Sequence, residues 1–325
     1  MRPSAQFLVC ICAMVWIAAA TSVVAQQYPN RRIRLVVPYP PGGGTDLVAR
    51  LVGQKLFESS GHGVVVENRA GAGGVLGTEV VAKSAPDGYT LVLGTQAAFA
   101  VNPSLIGKMP YDPLKDFSPV TLNGIAQSIL VVHPSVPVKT VKDLIALARA
   151  NPGQLTFASS GVGNSAHLSG ELFKIMAKVD MLHVPYSGGG TAIAALIGGQ
   201  ASLSFASTPT ALPHVRSGKL RVIAVSSSKR SLVLPELPTV AESGLPGFES
   251  QDWQGILVPA RTPADIVSRL NADMQRVLGL QEIKDKLLAS GFEVRPSTPE
   301  WFAEFISAET IKWAKVIKGA GIKAE

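Results

Sequence analysis

Short runs of branched aliphatic residues alternate along this chain with longer segments in which apolar positions recur every three or four residues. Ile33-Arg34-Leu35-Val36-Val37 reads as a strand ending at Pro38. From Asp46 to Phe57 the spacing turns helical, with Leu47, Leu51, Val52 and Leu56 as one stripe. Val64-Val65-Val66 predicts the next strand, Gly74 to Lys83 a helix, and Tyr89 to Leu93 a third strand. This β-α-β-α-β order predicts a largely parallel sheet with helices on both faces.

The pattern changes from Asn102 to Pro119, a stretch rich in proline and polar residues. Ser128 to His133 predicts a strand, Thr140 to Ala150 a helix capped by Thr140, and Leu155 to Ala158 another strand. Helices over Ser165 to Ala177 and Thr191 to Ile197 alternate with strands at Met181 to Val184, Leu203 to Phe205 and Val222 to Val225. Pro235, Pro238 and Pro246, with Pro259 beyond them, mark a crossing back, and the chain ends in amphipathic helices over Pro263 to Leu278 and Pro299 to Lys318. Together these elements predict an α/β protein of two lobes. Residues 26–122 form the first part of lobe 1, 123–248 lobe 2, and 249–325 a C-terminal return to lobe 1. Hinge crossings are expected near residues 120–126 and 245–255. Parallel α/β sheets bind ligands beyond the carboxyl ends of their strands, so the cleft between the lobes is the expected site.

The first residues address where the chain works. Arg2 precedes an uncharged apolar run from Phe7 to Ala20, and Val23-Val24-Ala25 has the small-residue pattern of a signal-peptidase site, with Gln26 next. The run is short for a helix that must cross a hydrocarbon core, which takes ~20 residues, so a cleaved leader over residues 1–25 is favoured over an uncleaved anchor. A lipoprotein signal at Cys10 fails because Val9 is not small. Cleavage removes Cys10 and Cys12, the only cysteines, which excludes disulfides, thiolate metal sites and a cysteine nucleophile from the mature chain. An exported chain of this length without cysteine points to a bacterial envelope compartment. The formal charge of +7 becomes +6 without Arg2, and it is dispersed apart from Arg31, Arg32 and Arg34 and a late group at Lys312, Lys315, Lys318 and Lys323. Only 6% of residues are aromatic, so a nucleic-acid surface, which interleaves basic and stacking residues, is not indicated.

Four strand-to-helix junctions are rich in small residues: Pro40 to Asp46, Gly71 to Gly74, Ser159 to Ser165, and Ser187 to Thr191. Backbone N–H groups at a helix start attract anions, and glycine lets the backbone approach a ligand closely. One such turn is a connector; several at corresponding places make an anion cradle the better reading. Gly161-Val162-Gly163-Asn164-Ser165-Ala166 also fits a dinucleotide fingerprint, but Asp180 precedes the next strand instead of ending it, so no cofactor is assigned. No phosphate-binding loop, no G-x-S-x-G and no H-E-x-x-H occurs, and His62, His133, His167, His183 and His214 lack metal-ligand spacing. No catalytic residue or metal site is expected. His167 and His183 lie near the glycine turns, where a structural role is the simpler reading.

At these turns the sequence resembles a known family. Pro38-Tyr39-Pro40-Pro41-Gly42-Gly43-Gly44-Thr45-Asp46, Glu67 to Gly74, Ala85 to Leu91, His183-Val184-Pro185-Tyr186, Leu237 to Glu242 and Trp253-Gln254-Gly255 resemble the Bug receptors, the periplasmic solute-binding components of tripartite tricarboxylate transporters. Tyr111-Asp112-Pro113 and Asp116-Phe117 continue the match. The resemblance implies a two-lobed periplasmic-binding-protein fold that closes on a small carboxylate and hands it to membrane subunits, as a monomer without cofactor or catalysis. It further implies that the loop with Tyr39, Pro41, Gly42, Gly43, Thr45 and Asp46, and the loop with Ser159, Ser160, Gly161, Gly163, Asn164 and Ser165, grip one carboxylate. Thr95, Gln96, Tyr186, Gly188 and Ala206 are implied to line the rest of the pocket. Ser202 and Ala206 stand where this family often carries acids, which favours a non-amino carboxylate over aspartate or glutamate. A ligand-presenting co-sensor for a membrane signalling system, or an exported enzyme, are the alternative readings.

Overall fold

A computed structural model describes residues 28–60 and 62–323; the leader expected over residues 1–25 lies outside the described residues. The first sheet begins as the hydrophobic pattern predicts. Strands β1 (Ile33–Val37), β2 (Val64–Asn68) and β3 (Thr90–Thr95) alternate with helices α1 (Gly44–Ser60) and α2 (Val75–Ala82). β1 pairs with β2 and β3 in parallel, with Leu35 opposite Val66 on one side and Leu91 on the other. A π-turn (Ala97–Val101) and the short α3 (Asn102–Leu105) follow, and a long strand, β4 (Phe117–Ala126), begins at the end of the proline-rich stretch.

The second sheet holds β5 (Ser128–Val132), β6 (Thr156–Ser159), β7 (Leu182–Pro185), β8 (Leu203–Ser207) and β9 (Arg221–Val225), in the order β7-β6-β8-β5-β9. Its helices are α4 (Val141–Ala150), α5 (Ser165–Ala177), α6 (Gly189–Ile197) and α7 (Thr208–Arg216). Thr140 caps α4 as expected: its hydroxyl accepts from the Asp143 N–H at 3.1 Å while the Asp143 carboxylate accepts from Thr140 at 3.0 Å. The remaining elements are β10 (Asp252–Pro259), α8 (Ala264–Gly279), α9 (Gln281–Ala289), β11 (Phe292–Val294) and α10 (Pro299–Ala320).

Both sheets are mixed, where the alternation of strands and helices predicts largely parallel ones. β10 enters the first sheet from the second and therefore runs antiparallel, wedged between β3 and β4, with β11 antiparallel to β4 at the edge. The first sheet thus has the order β11-β4-β10-β3-β1-β2, and it is complete only when residues far along the chain return to it. In the second sheet β5 pairs antiparallel with both β8 and β9.

The chain changes sheet at single glutamines. β4 stays paired through Ala126 with Asp252 and Phe292, so the outward passage is Gln127, at the end of the stretch expected near 120–126. The Gln127 carbonyl accepts from the N–H and hydroxyl of Thr208 at 3.1 and 2.9 Å, and its amide donates to Glu293 at 2.6 Å. The return passage is Gln251, between Ser250, which donates to Ser226 at 2.9 Å, and Asp252 of β10.

α10 packs along β4, the π-turn and α5. Its buried Glu309 explains the seating: the carboxylate accepts from the indole N–H of Trp313 at 2.9 Å, from that of Trp253 at 3.3 Å, and from Gln96 at 3.4 Å, and is paired with Lys312. Gly255 lies beneath this helix because a Cβ there would meet the Thr121 carbonyl at 2.7 Å and press into the Phe302 ring. Among the described residues no helix is long and apolar enough to cross a membrane. Replacing Glu309 with alanine leaves two buried indole donors without their acceptor, at ~1–3 kcal/mol for each group that water cannot reach, while the Gln96 amide keeps the Gln251 carbonyl at 2.8 Å. We expect Glu309→Ala to lower unfolding stability by about 2–4 kcal/mol in urea titrations, and Glu309→Gln, which keeps an acceptor, to lower it less. Equal losses in the two variants would remove the carboxylate from this role.

Candidate functional site

The turn from β1 into α1 is organised from behind by Asp46. Its Oδ2 accepts from the Gly42 N–H and the Arg50 Nε, both at 2.9 Å, and its Oδ1 accepts from Asn68 at 2.9 Å. The same Asn68 amide donates to the Tyr39 carbonyl at 3.0 Å. Arg50 and these neutral donors hold the carboxyl down at about 2. Gly42 adopts φ +86°, a left-handed conformation that glycine enters without penalty. The turn is therefore folded around its own acid, and its other face is left outward. Pro41, Gly42, Gly43 and Gly44 are exposed, and the N–H groups of Gly43, Gly44 and Thr45 meet no acceptor among the described residues.

The turn from β6 into α5 has the same logic with different chemistry. Ser159, fully buried, donates its hydroxyl to the Gly161 carbonyl at 2.9 Å and accepts the Gly161 N–H at 3.2 Å. The His183 Nε2 lies 2.7 Å from that hydroxyl, and with the serine proton committed to Gly161 it is the histidine that donates. His167 Nδ1 accepts the Gly163 N–H at 3.0 Å, and the two imidazoles stack at 3.7 Å, only 8° from parallel. Burial, then the partner imidazole and Lys174, lower His167 to about 4; burial, then Lys174, lower His183 to about 4. A serine beside a histidine is the geometry of an activated nucleophile. Here the hydroxyl is buried and used by the loop backbone, so the pair is a brace. Asn164 caps α5, accepting the His167 N–H at 3.0 Å, while its Nδ2 is buried without a partner.

Two cavities adjoin these turns. One of about 350 Å³ is lined by Tyr39, Gly73, Asn102, Leu105, Val162 and Asn164, and so joins residues carried by both sheets. A Cβ on Gly163 would meet Leu105 at 2.6 Å, which shows how closely the second turn approaches α3. The other, of about 70 Å³, lies at the carboxyl end of the second sheet, between Ser160, Ser165, Gly189, Ser204, Ala206 and Thr210. Neither lining includes a charged side chain.

The chain's relatives decide which proteins share this arrangement. The tripartite tricarboxylate transporter family receptor profile matches residues 48–322. The chain belongs to this family. It is similar to Protein BugT of Bordetella pertussis, 40% identical over 305 residues that cover 94% of each chain. Among solved structures it is similar to R. palustris Rpa4515 with adipate, 38% identical, covering 91% of this chain and 99% of that one at a TM-score of 0.76. MatC from Rhodopseudomonas palustris with bound malate is 34% identical, covering 89% and 100%, at a TM-score of 0.71. The receptor thus has the α/β periplasmic-binding-protein fold of its relatives.

The fold sorts the residues that the motifs single out in this receptor. Tyr39, Gly163 and Asn164 reach the larger cavity, and Ser160, Ser165 and Ala206 the smaller. Thr95 shares a 2.8 Å hydrogen bond with the Tyr39 hydroxyl, and Thr45 accepts from Gln254 at 3.3 Å. A Cβ on Gly161 would lie 3.7 Å from Asn164 and 3.8 Å from the Tyr186 carbonyl, which places Tyr186 behind the second turn. Gly188 opens α6, its carbonyl held by Thr191 at 2.8 Å. Four residues are turned to other work. The Asp46 carboxylate and the Ser159 hydroxyl are consumed inside their own turns, the Gly163 N–H goes to His167, and the buried Gln96 amide faces Gln251 and Glu309 under α10. Ser204, Ser207, Thr210, Asn102 and Leu105 were not singled out, because their chain neighbours carry no glycine turn. Ser202, read as a site position, bonds Thr156 at the opposite end of β8.

The histidine brace gives the receptor a pH signature. Both imidazoles fall from 6.5 to about 4 on folding, so between these values the unfolded chain binds more protons and stability drops as pH falls. The Asp46 contribution behaves separately, persisting above 3.8 and fading only toward about 2. We expect the thermal midpoint to fall between pH 6.5 and pH 4, and the fall to be shallower in a His167→Gln/His183→Gln variant. An unchanged slope in that variant would assign the acid sensitivity elsewhere.

Proposed function

We propose that this receptor captures a small carboxylate in the periplasm and delivers it to the membrane subunits of a tripartite tricarboxylate transporter, acting as a single chain and performing no chemistry on its ligand. The observation that carries this reading is the pair of braced helix starts. The N–H groups of Gly43, Gly44 and Thr45 at α1, and of Ser160, Ser165 and Ala166 at α5, are without acceptors among the described residues, and the side chains behind them are already satisfied. Such amides present partial positive charge at each helix start, which is how proteins hold anions without a cation. Relatives with adipate and with malate support the same ligand chemistry. Neutral donors fit a carrier that must let go, since the ligand's carboxylate forms no ion pair with the cradle that a membrane partner would have to break.

The two sheets are proposed to act as two lobes that close on the ligand about Gln127 and Gln251, the residues where the chain passes between them. Hinge closure of this kind needs only a few backbone angles to change. Export with cleavage after Ala25 belongs to the same reading.

Gly43 tests the cradle. A Cβ there meets only the Pro40 carbonyl, at 3.9 Å, so Gly43→Val spares the fold and puts its bulk where the anion sits. Loss of charge-assisted hydrogen bonds predicts affinity lower by roughly ten- to a hundred-fold in calorimetry with a bound carboxylate. Unchanged affinity removes this turn from the site. For the hinge, small-angle scattering is expected to show a smaller radius of gyration with ligand than without, and identical curves at saturation defeat closure.

A further inference from the structure

β10 brings to the cleft an acid that none of the glycine-turn motifs contains. Asp252 is the first residue of β10, directly after the return passage at Gln251, and is half-buried. Gln254 pairs in register with Thr95, so Asp252 lies one step beyond the carboxyl end of β3, where Thr95 meets the Tyr39 hydroxyl. Residues two apart on a strand share a face. Gln254 on that face donates to Thr45 at the start of α1, which fixes the side of the sheet to which Asp252 belongs. The negative charge of Asp252 is felt at Tyr39, whose hydroxyl is pushed up to about 12, first by burial and then by this neighbour.

Two acceptors on this face are short of donors: one meets a single backbone N–H and the other none. The Asp252 carboxylate is met only by the backbone N–H of Trp253, with no lysine, arginine or histidine among its ion-pair partners in the described residues. Loss of water raises it to about 6. The Gln254 Oε1 is buried with no partner at all. The nearby Asp46 differs, since Gly42, Arg50 and Asn68 saturate it. Beside a cradle of unused donors, then, the fold sets unused acceptors. A desolvated carboxylate and an amide oxygen without donors are costly to leave unpaired.

We propose that Asp252, assisted by the Gln254 carbonyl oxygen, receives a positively charged nitrogen of the ligand, so that the receptor selects zwitterionic carboxylates. The ligand's carboxylate takes the amides at α1 and its ammonium group takes β10; the inference rests on the carboxylate reading above. This reverses the expectation drawn from Ser202 and Ala206. Ser202 lies at the wrong end of β8, bonded to Thr156, so the missing acid there has no bearing on the cleft, and the counter-charge comes from another strand.

The test compares acids that differ only by an amino group: L-glutamate with glutarate, L-aspartate with succinate, and 4-aminobutanoate with butanoate. Binding is measured by calorimetry at pH 7.5 to the native receptor, Asp252→Asn and Gly43→Val, with thermal melts confirming that each variant folds. The expected result is tighter binding of the amino member in at least one pair. Asp252→Asn then weakens that ligand by roughly ten- to a hundred-fold without weakening its deaminated partner. Gly43→Val weakens both. Tighter binding of the deaminated acids, or an Asp252→Asn variant that treats both members as the native receptor does, overturns the proposal and leaves the carboxylate cradle standing. Glutarate or succinate binding that strengthens as pH falls through about 6, and loses that dependence in Asp252→Asn, also overturns it, because the carboxyl is then a proton donor to an acid. Binding of neither class, with Gly43→Val indistinguishable from native, defeats the carboxylate reading itself.

Discussion

The proposed carboxylate cradle depends on backbone amides being left unused, and that is an unstable condition for a folded chain. Exposed N–H groups at a helix start will take any acceptor their own loop can supply. Asp46 prevents this by drawing the turn inward: it takes the Gly42 N–H, the Arg50 guanidinium and the Asn68 amide, and so leaves the following amides facing outward. An asparagine at that place could still accept the Gly42 N–H, but it would not carry the charge that pairs with Arg50. In the proposed cradle the acid of the motif supports the turn through Gly42, Arg50 and Asn68.

The second turn solves the same problem without a charge. Two neutral imidazoles, stacked and dehydrated, hold Gly163 and Ser159 from behind, and Asn164 caps the helix while its Nδ2 stays unpaired. Neutrality matters here, because a protonated His167 would lose its ability to accept the Gly163 N–H. The two halves of the cradle therefore fail in different ways on acidification, the histidine brace well before the aspartate one.

Long-range closure of the first sheet links these local devices. β10 fills the gap between β3 and β4, and α10 seals it through the Glu309 hub beneath Trp253 and Trp313. The same strand carries Gln254 to Thr45 and sets Asp252 at the end of β3. Completing the sheet and equipping the cleft are one event, so residues more than two hundred positions apart meet at a single turn.

Much of this was legible before any coordinates. Branched runs and helical stripes located β1 to β3 and their helices, and the glycine turns lie where the strands pass into helices, because local backbone preference and solvent contrast act within a few residues. Legibility ended where partners are distant. β4 and β10 were hidden since proline and polar residues in them look like loop until cross-strand pairing satisfies their backbones, and β11 is too short to show a period. Asp46, Ser159 and Gln96 were visible as motif residues, but only packing determined which partners their side chains bond. Asp252 carried no local signal at all. By itself the sequence determined an α/β chain with glycine-rich turns at its helix starts, through forces that operate along the backbone; the tertiary structure decided which polar groups those turns consume and which they leave without a partner, because hydrogen-bond partners are assigned by proximity in space.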